Sequence, residues 1–291
     1  MSVLLGTAAA GLDASALGLT FCQIPAGPYE IGAADLGNNP LRHVGVDAFE
    51  LADTPTTNGQ WAQALKQLGD QKTALMFESV RDRRWAVAAR GTREEIGEVT
   101  RGALMEIVSS LWLGGRVDDF AVRGALQAFD LGEEPPPVKI VPVTLEHYLK
   151  GGFDGDNQPA LMRYFEAAAV AALFGLILPT GEMWEAAAGD LRDERYRDER
   201  ELRRVAYFMS AGVTPEVGTR EPNRYGLYDM LGNVLEAMAN RYSADSEERE
   251  LRGGSWFNDP ENVRAAFRYN VHPDYWVYYF GCRFGRQDSK G

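Results

Sequence analysis

The sequence lacks the residue spacings by which most catalytic and metal sites are recognised. Its 291 residues include only 2 cysteines and 3 histidines. Cys22 and Cys282 lie near opposite ends of the chain, and His43, His147 and His272 have no metal-ligand spacing. The chain has no glycine-rich phosphate loop and no nucleophile framed by glycines. These absences indicate no familiar hydrolase, kinase or dehydrogenase, and they predict two buried free thiols.

Positive charge and long apolar runs are also scarce. The formal net charge of −12 argues against nucleic acid or an anionic membrane as a partner. No apolar run is long enough to span a bilayer. Residues 1–20 carry no lysine or arginine before their apolar part, so they make a poor secretory signal. A cytoplasmic or virion-associated protein is therefore expected.

What the sequence does contain predicts an α+β domain with short elements. Phe21–Gly32 is predicted to form two strands around a Pro-Ala-Gly-Pro turn, and Val44–Leu51 a further strand. Hydrophobic periodicity and capping residues predict several helices. They are a helix capped by Thr57 or Asn58 that ends at Gly69, helices over Thr92–Trp112, Asp118–Leu131 and Ala160–Phe174, and a helix through Glu182–Ala188 capped by Thr180. Asp190–Arg204 is predicted to be a solvated helix face.

Residues 251–286 alternate a frame of glycine, arginine and tryptophan with residues suited to contact. The frame includes Gly253, Gly254, Trp256, Arg264, Arg268, Gly281 and Arg283. The twelve interleaved residues are Phe257, Asn258, Asp259, Asn262, Phe267, Tyr269, Val271, His272, Tyr275, Val277, Tyr278 and Tyr279. Aromatic content alone favours burial in a twisted antiparallel sheet. The many turn residues instead fit a recognition surface, and both interpretations stay open.

Ordered sequence blocks resemble the formylglycine-generating-enzyme-like (sulfatase-modifying factor) domain, a variant of the C-type lectin fold. The blocks are Ile24–Gly32, Asp53–Trp61, Leu178–Ala187, Asn223–Glu236, Arg252–Trp256 and Gly281–Phe284. The resemblance implies one irregular α+β domain over residues 21–286, with short antiparallel strands and a few helices. Residues 1–20 would be an N-terminal segment, and residues 67–156 an inserted, mainly helical subdomain.

The enzymes of that family bind copper with a cysteine pair placed just after a Gly-Gly-Ser motif. The matching positions here carry Asn258 and Val263, which offer copper(I) no soft ligand. The resemblance therefore implies the enzyme's frame without its oxidase chemistry, and no cofactor. A structural calcium ion stays open, since family members can hold calcium near the Gly-Asn-Val-x-Glu segment. Asn233 and Glu236 are the matching candidates, although a structural hydrogen-bonding role is the preferred interpretation.

The variable proteins of diversity-generating retroelements, a different branch of the fold, are more similar. In those proteins an error-prone reverse transcriptase rewrites the 3′ end of the gene at template adenines, which diversifies AAY codons. All twelve interleaved residues have a codon reachable from AAY through adenine changes alone, a test that excludes only Lys, Glu, Gln, Met and Trp. The resemblance implies a monomeric, non-enzymatic protein whose variable region, residues 251–286, binds a macromolecular target, preferably a protein.

Two other functions remain open at this point. One is a formylglycine-generating or related sulfur-chemistry oxidoreductase whose metal site has moved. The other is a structural lectin-like domain of a larger phage or surface assembly, in which the insertion at 67–156 mediates docking. Neither hypothesis identifies a ligand from the residues present.

Overall fold

The computed structural model describes residues 13–69, 155–162, 164–210, 214–246, 248–272 and 280–287, together with the backbone of strands between residues 3 and 142. The α-helices are α1 (Asn58–Gly69), α2 (Tyr164–Leu173), α3 (Gly181–Ala188) and α4 (Glu199–Val205). Short 3-10 helices occupy Ala14–Leu17, Gly189–Arg192, Glu194–Arg197 and Pro260–Asn262.

The strands are short and follow one another in irregular order. They are β1 (Val3–Leu5), β2 (Phe21–Ile24), β3 (Gly27–Ile31), β4 (Arg42–Val46), β5 (Phe49–Ala52), β6 (Ala74–Ser79), β7 (Arg84–Ala89), β8 (Val138–Pro142), β9 (Ala206–Tyr207), β10 (Leu231–Gly232), β11 (Leu235–Arg241), β12 (Arg249–Arg252), β13 (Tyr269–Val271), β14 (Phe280–Gly281) and β15 (Gly285–Gln287).

Small, mostly antiparallel sheets bring distant parts of the chain together. One sheet has the order β13-β12-β11-β14, and a second has the order β15-β5-β2. In the second sheet Leu51 is opposite both Cys22 and Gly285, so the two ends of the domain meet on one strand. Strands β3 and β4 form a separate hairpin, and β9 pairs with β10 in parallel. The described end of the chain is therefore fixed in a sheet near the beginning of the domain.

The core consists of two clusters of buried side chains. The first joins α1 and α2 to the sheet that contains β11, through residues such as Trp61, Val170 and Phe280. The second packs α3 against the β2–β5 region, with Trp184 and Phe49 near its centre. Each fully buried large apolar side chain contributes about 1.5–3 kcal/mol to folding. Both clusters receive residues of the C-terminal segment, which is thereby held by packing.

Several predicted elements are confirmed by the structure. The strands flanking the Pro-Ala-Gly-Pro turn are β2 and β3, and α1 spans Asn58–Gly69 as expected. Helix α3 begins after Thr180, whose hydroxyl accepts a hydrogen bond from the Met183 amide at 3.1 Å. Both cysteines are free as expected, and Cys282 is buried, but Cys22 is only half-buried, so the prediction of two buried thiols is confirmed for Cys282 alone.

Other predictions are wrong in their boundaries. The single strand expected over Val44–Leu51 is divided into β4 and β5, because β4 pairs with β3 whereas β5 pairs with β2 and β15. The helix expected from Ala160 begins only at Tyr164, because the Ala160 amide donates to the Thr56 carbonyl instead. Asp190–Arg204 forms two 3-10 helices and most of α4 rather than one helix.

The inserted segment contains strands that the sequence did not predict. Its described backbone forms β6, β7 and β8, which join β1 in a sheet of order β1-β6-β7-β8. The helices predicted over Thr92–Trp112 and Asp118–Leu131 lie outside the described residues. The described strands of the insertion are extended, and the mainly helical character expected of residues 67–156 stays a prediction.

Candidate functional site

Two consecutive glycines follow β12 at the beginning of the C-terminal segment, and their backbone conformation is one that only glycine adopts readily. Gly253 and Gly254 have φ angles of 92° and 74°, a region that residues with a side chain rarely adopt. A Cβ on Gly253 would also lie 2.8 Å from the Met230 carbonyl oxygen and 3.2 Å from the Trp184 ring. The glycine pair thus permits close packing under the loop that follows, and Ser255 and Trp256 are both buried.

A buried ion pair fixes the far end of the segment. Arg283 is fully buried and donates to Glu236 Oε1 at 2.8 Å and to the carbonyl oxygens of Ala52 and Tyr228. The second Glu236 oxygen accepts from Trp184 Nε1 at 2.7 Å. Because each charge has several partners of good geometry, the pair is compatible with complete burial.

A second buried network fixes the beginning of the segment. Arg252 forms ion pairs with Glu185 at 3.1 Å and with Glu250 at 2.5 Å, and it donates to the Ala265 carbonyl. Arg268 reaches the other Glu250 oxygen at 2.7 Å. Burial raises the pKa of Glu250, but the two guanidinium groups outweigh burial and hold this pKa below its usual range. The frame arginines therefore support the loop from beneath.

The interleaved residues differ widely in exposure. Phe257, with 59% of its surface exposed, and Asp259 face solvent. Five residues are half-buried, namely Asn258, Asn262, Phe267, Tyr269 and His272. Tyr275, Val277, Tyr278 and Tyr279 lie outside the described residues. The described part of residues 251–286 thus places some of the interleaved side chains on the surface and leaves others half-buried.

Val271 corrects the expectation that all twelve residues are displayed. It is 9% exposed and belongs to the first core cluster, against which Tyr269 also packs. Both residues are in β13, which pairs with β12, so the strand lies over the core. The Tyr269 hydroxyl donates to the Asn262 carbonyl, and burial with the nearby Asp259 charge raises the pKa of this phenol. Residue type alone does not distinguish such positions from exposed ones.

Asn258 also has a structural role. Its side-chain oxygen accepts hydrogen bonds from the Ser255 amide at 2.9 Å and from the Ser255 hydroxyl at 2.8 Å. Its own amide donates to the Ser255 carbonyl at 3.1 Å. This asparagine therefore closes the turn that presents Phe257.

A cleft with a volume of about 590 Å³ lies beside the loop. Its lining combines apolar Leu191 and Val263 with the charged residues Asp35, Arg192 and Arg264. Arg264 binds both oxygens of Asp35, at 2.9 and 3.0 Å. Hydrogen bonding to this guanidinium lowers the pKa of Asp35 to about 2. The sequence did not predict Asp35 as a partner of the frame, because the two residues are far apart along the chain.

Comparison with known proteins assigns the family. A family model described as the sulfatase-modifying factor enzyme 1-like domain matches residues 16–287. The chain belongs to this family. Members of the sulfatase-modifying factor family to which it is similar include the inactive C-alpha-formylglycine-generating enzyme 2 of Bos taurus. That protein is 36% identical over 277 residues, which cover 87% of this chain and 83% of the relative.

Other similar proteins match less of the chain or only its fold. The serine/threonine-protein kinase pkn1 of Chlamydia pneumoniae is 34% identical over 129 residues, which are 38% of this chain and 21% of the kinase. The solved structure of Treponema denticola variable protein 1 is similar with a TM-score of 0.56 and 18% identity, covering 92% of this chain and 95% of that one. The predicted fold class, a C-type lectin-like fold of the formylglycine-generating-enzyme type, is thereby confirmed.

The positions of the family's copper-binding cysteines offer no thiolate here. Val263 is 1% exposed in the second core cluster, and Asn258 is engaged with Ser255. Cys282 instead contacts Met162 and Thr56. Burial raises the pKa of its thiol to about 12, so this cysteine stays protonated at neutral pH. The described residues include no group of three or more His, Cys, Asp or Glu able to hold a metal ion.

The calcium candidates of the family segment differ in what they offer. Both oxygens of Glu236 are occupied by Arg283 and Trp184. Asn233 is fully buried at a φ of 57°, and neither its side-chain oxygen nor its nitrogen has a hydrogen-bond partner among the described residues. Asp229 lies close enough for the Asn233 side chain to lower its pKa, its Oδ2 accepts from the Gly218 amide at 2.6 Å, and its Oδ1 has no partner of good geometry among the described residues. Asp229 and Asn233 therefore fit a cation better than Glu236 does, and sequence reasoning missed Asp229.

We expect replacement of Asp229 by asparagine to raise stability at pH 7 when calcium is chelated. Burial raises the pKa of Asp229 above its ordinary value of 3.8. A carboxyl group whose pKa is higher in the folded state than in the unfolded state stabilises the fold at pH values below its unfolded-state pKa. This contribution to stability is lost as the pH rises through the folded-state pKa. Removing the buried charge should recover about 1 kcal/mol or more in urea unfolding.

Calcium provides the complementary measurement on the same two proteins. If a cation is held by Asp229 and Asn233, excess calcium raises the melting temperature of the wild type and not of Asp229→Asn. A variant that is less stable than the wild type in chelator at pH 7 would contradict the assigned cost of the buried carboxylate.

In the part of the chain that the structure describes, no helix is both long enough and apolar enough to cross a membrane.

Proposed function

We propose that this chain is a non-enzymatic ligand-binding protein of a diversity-generating retroelement, with residues 251–286 as its variable region. The observation that carries the proposal is that one segment combines buried frame residues with exposed residues between them. Frame arginines such as Arg252 and Arg283 are buried in ion pairs, whereas Phe257 and Asp259 between them face solvent. Side chains on such a supported loop can change without loss of the core.

The chemistry of the segment supports binding rather than catalysis. Asn258 and Val263 stand where family enzymes hold copper, and the protonated Cys282 is no substitute. The similarity to an inactive formylglycine-generating enzyme 2 is consistent with this proposal. The alternative, a sulfur-chemistry oxidoreductase with a displaced metal site, predicts copper-dependent oxygen consumption on a cysteine peptide. The proposed function predicts none.

The proposed target is a macromolecule, preferably a protein. Aromatic side chains such as Phe257 and Phe267 provide large contact area at a low cost in side-chain entropy. The formal charge of −12 disfavours nucleic acid. The interleaved residues mix aromatic, small apolar and polar types, as protein-contacting surfaces do.

The decisive test is the DNA that follows the coding sequence. We expect a near-copy of the segment encoding residues 251–286, which differs mainly opposite adenines, beside a reverse-transcriptase gene. Sister genes from one population should differ at the interleaved positions and keep Arg252, Gly253 and Arg283. Identical residues at the interleaved positions in every sister gene would contradict the proposal.

A further inference from the structure

Two exposed apolar side chains come from neighbouring backbone segments at the edge of the variable region. Met209 is 57% exposed and Phe257 is 59% exposed. The Met209 amide donates to the Asn258 carbonyl at 3.2 Å, and the Ser210 amide donates to the Trp256 carbonyl at 3.0 Å. These bonds place the backbone of Met209 alongside that of Phe257. The two residues therefore contribute to one apolar patch, although Met209 is outside residues 251–286.

The backbone of Met209 is strained. Its φ angle is 45°, and the other non-glycine residues with positive φ in the described ranges are Asp229 and Asn233. Aspartate and asparagine tolerate this region because their short polar side chains can bond locally. Methionine gains no such compensation, and its exposed side chain contributes little to the core. Strain that brings no stability is concentrated at functional sites.

The rim of the patch is acidic. Asp259 and Glu261 are exposed in the loop that follows Phe257, and residues 256–263 include no lysine or arginine. The nearby Arg203 and Arg204 of α4 are paired with acidic residues, at 2.6 and 3.0 Å for the pairs with Glu199 and Glu201. Asp259 and Glu261 have no ion-pair partner within the part of the chain that the structure describes. Negative charge of this kind beside an apolar centre is complementary to a basic rim on a partner.

We infer that Met209 is a fixed contact residue of the binding surface, placed beside residues that vary. Its partner is a protein segment that carries an aromatic or branched apolar side chain next to lysine or arginine. A methionine side chain is unbranched and polarisable, so it adapts to partner groups of different shape. This property suits a constant residue that must serve many variants of the loop. The inference rests on the proposed function and extends its surface beyond residues 251–286.

The probe is a random 12-residue peptide library displayed on phage and panned on the full chain. Binding of the enriched peptides is then measured for Met209→Asn, Met209→Leu, Phe257→Ser and, as the matched control, Leu41→Ser. Leu41 is also an exposed large apolar residue, with 50% of its surface exposed, but it lines the cleft on the side of Val263 and Arg264 and is not part of the Met209–Phe257 patch. Asparagine tolerates positive φ, so Met209→Asn should melt no lower than the wild type.

We expect enriched peptides to combine apolar or aromatic residues with basic ones, and to bind more weakly as salt rises. Their affinity should fall about tenfold or more in Met209→Asn and in Phe257→Ser, as for a contact at the centre of an interface. Met209→Leu should keep most of the affinity, and Leu41→Ser should be unchanged.

The outcomes separate this inference from the proposed function. Unchanged affinity in Met209→Asn together with loss in Phe257→Ser overturns the role of Met209 and leaves the variable surface in place. Unchanged affinity in both variants counts against both proposals. Failure to enrich any peptide over a Met209→Asn/Phe257→Ser double variant also overturns the inference, as does enrichment of acidic peptides.

Discussion

Replacement of Arg283 by methionine is expected to lower the free energy of unfolding by about 3–5 kcal/mol, the usual cost of breaking a buried ion pair. Arg283 and Glu236 have side-chain exposures of 0% and 1%. The variant leaves the Glu236 carboxylate buried, with Trp184 as its remaining side-chain hydrogen-bond donor among the described residues. It also removes the donor for the Ala52 and Tyr228 carbonyls. Urea unfolding at pH 7 measures the loss.

An exposed arginine provides the matched control. Arg203 pairs with Glu199 at 2.6 Å, but both side chains are about half exposed, at 47% and 54%. Arg203→Met should therefore cost about 0.5 kcal/mol or less. The double variant Arg283→Met/Glu236→Gln should recover part of the lost stability, because the unpaired buried charge is then absent. Equal losses in Arg283→Met and Arg203→Met would refute the assigned role of the buried pair.

Replacement of Gly232 by alanine should destabilise the protein by about 4 kcal/mol or more, or prevent folding altogether. Gly232 has a φ of 73°, and a Cβ there would lie 2.0 Å from the Tyr207 carbonyl oxygen. The clashing atoms are backbone atoms of the parallel β9–β10 pair. They cannot move without breaking the connection that positions Asn233. Thermal unfolding followed by circular dichroism measures the effect.

Gly18 separates the effect of conformation from that of space. Its φ of 71° is nearly the same, but a Cβ there would meet no atom within 4 Å. Gly18→Ala should therefore cost only the conformational penalty of about 1–2 kcal/mol. If both alanine variants lost the same stability, close packing at Gly232 would not be the cause.

Local sequence signals predicted the elements whose causes are local. Thr180 caps α3 because its hydroxyl is one turn from the Met183 amide, and the Pro-Ala-Gly-Pro turn separates β2 from β3. The limits of β4 and β5 could not be predicted in the same way. They depend on different partner strands, and β15 is more than 200 residues away along the chain. Pairing at such distances leaves no trace in a short window of sequence.

The frame of the candidate site was predictable by residue type, but its partners were not. Arg252 and Arg283 belong to blocks that carry the family resemblance, and so do Glu185 and Glu236, but only the fold shows which carboxylate pairs with which arginine. At Val271 the residue type itself does not predict the position of the side chain. A small apolar residue fits a displayed position and a core position equally well, and only the pairing of β13 with β12 decides for the core.

The position of β15 has a consequence for polypeptides whose synthesis ends before this strand is made. This strand pairs with β5, and the residues just before it supply Phe284 to the core and Arg283 to Glu236. A polypeptide terminated anywhere before residue 280 thus cannot complete its interior and leaves a charged group without its counterion. Such products should be degraded by cellular proteases, since the chain reaches a protease-resistant state only after residues 251–286 have been synthesised.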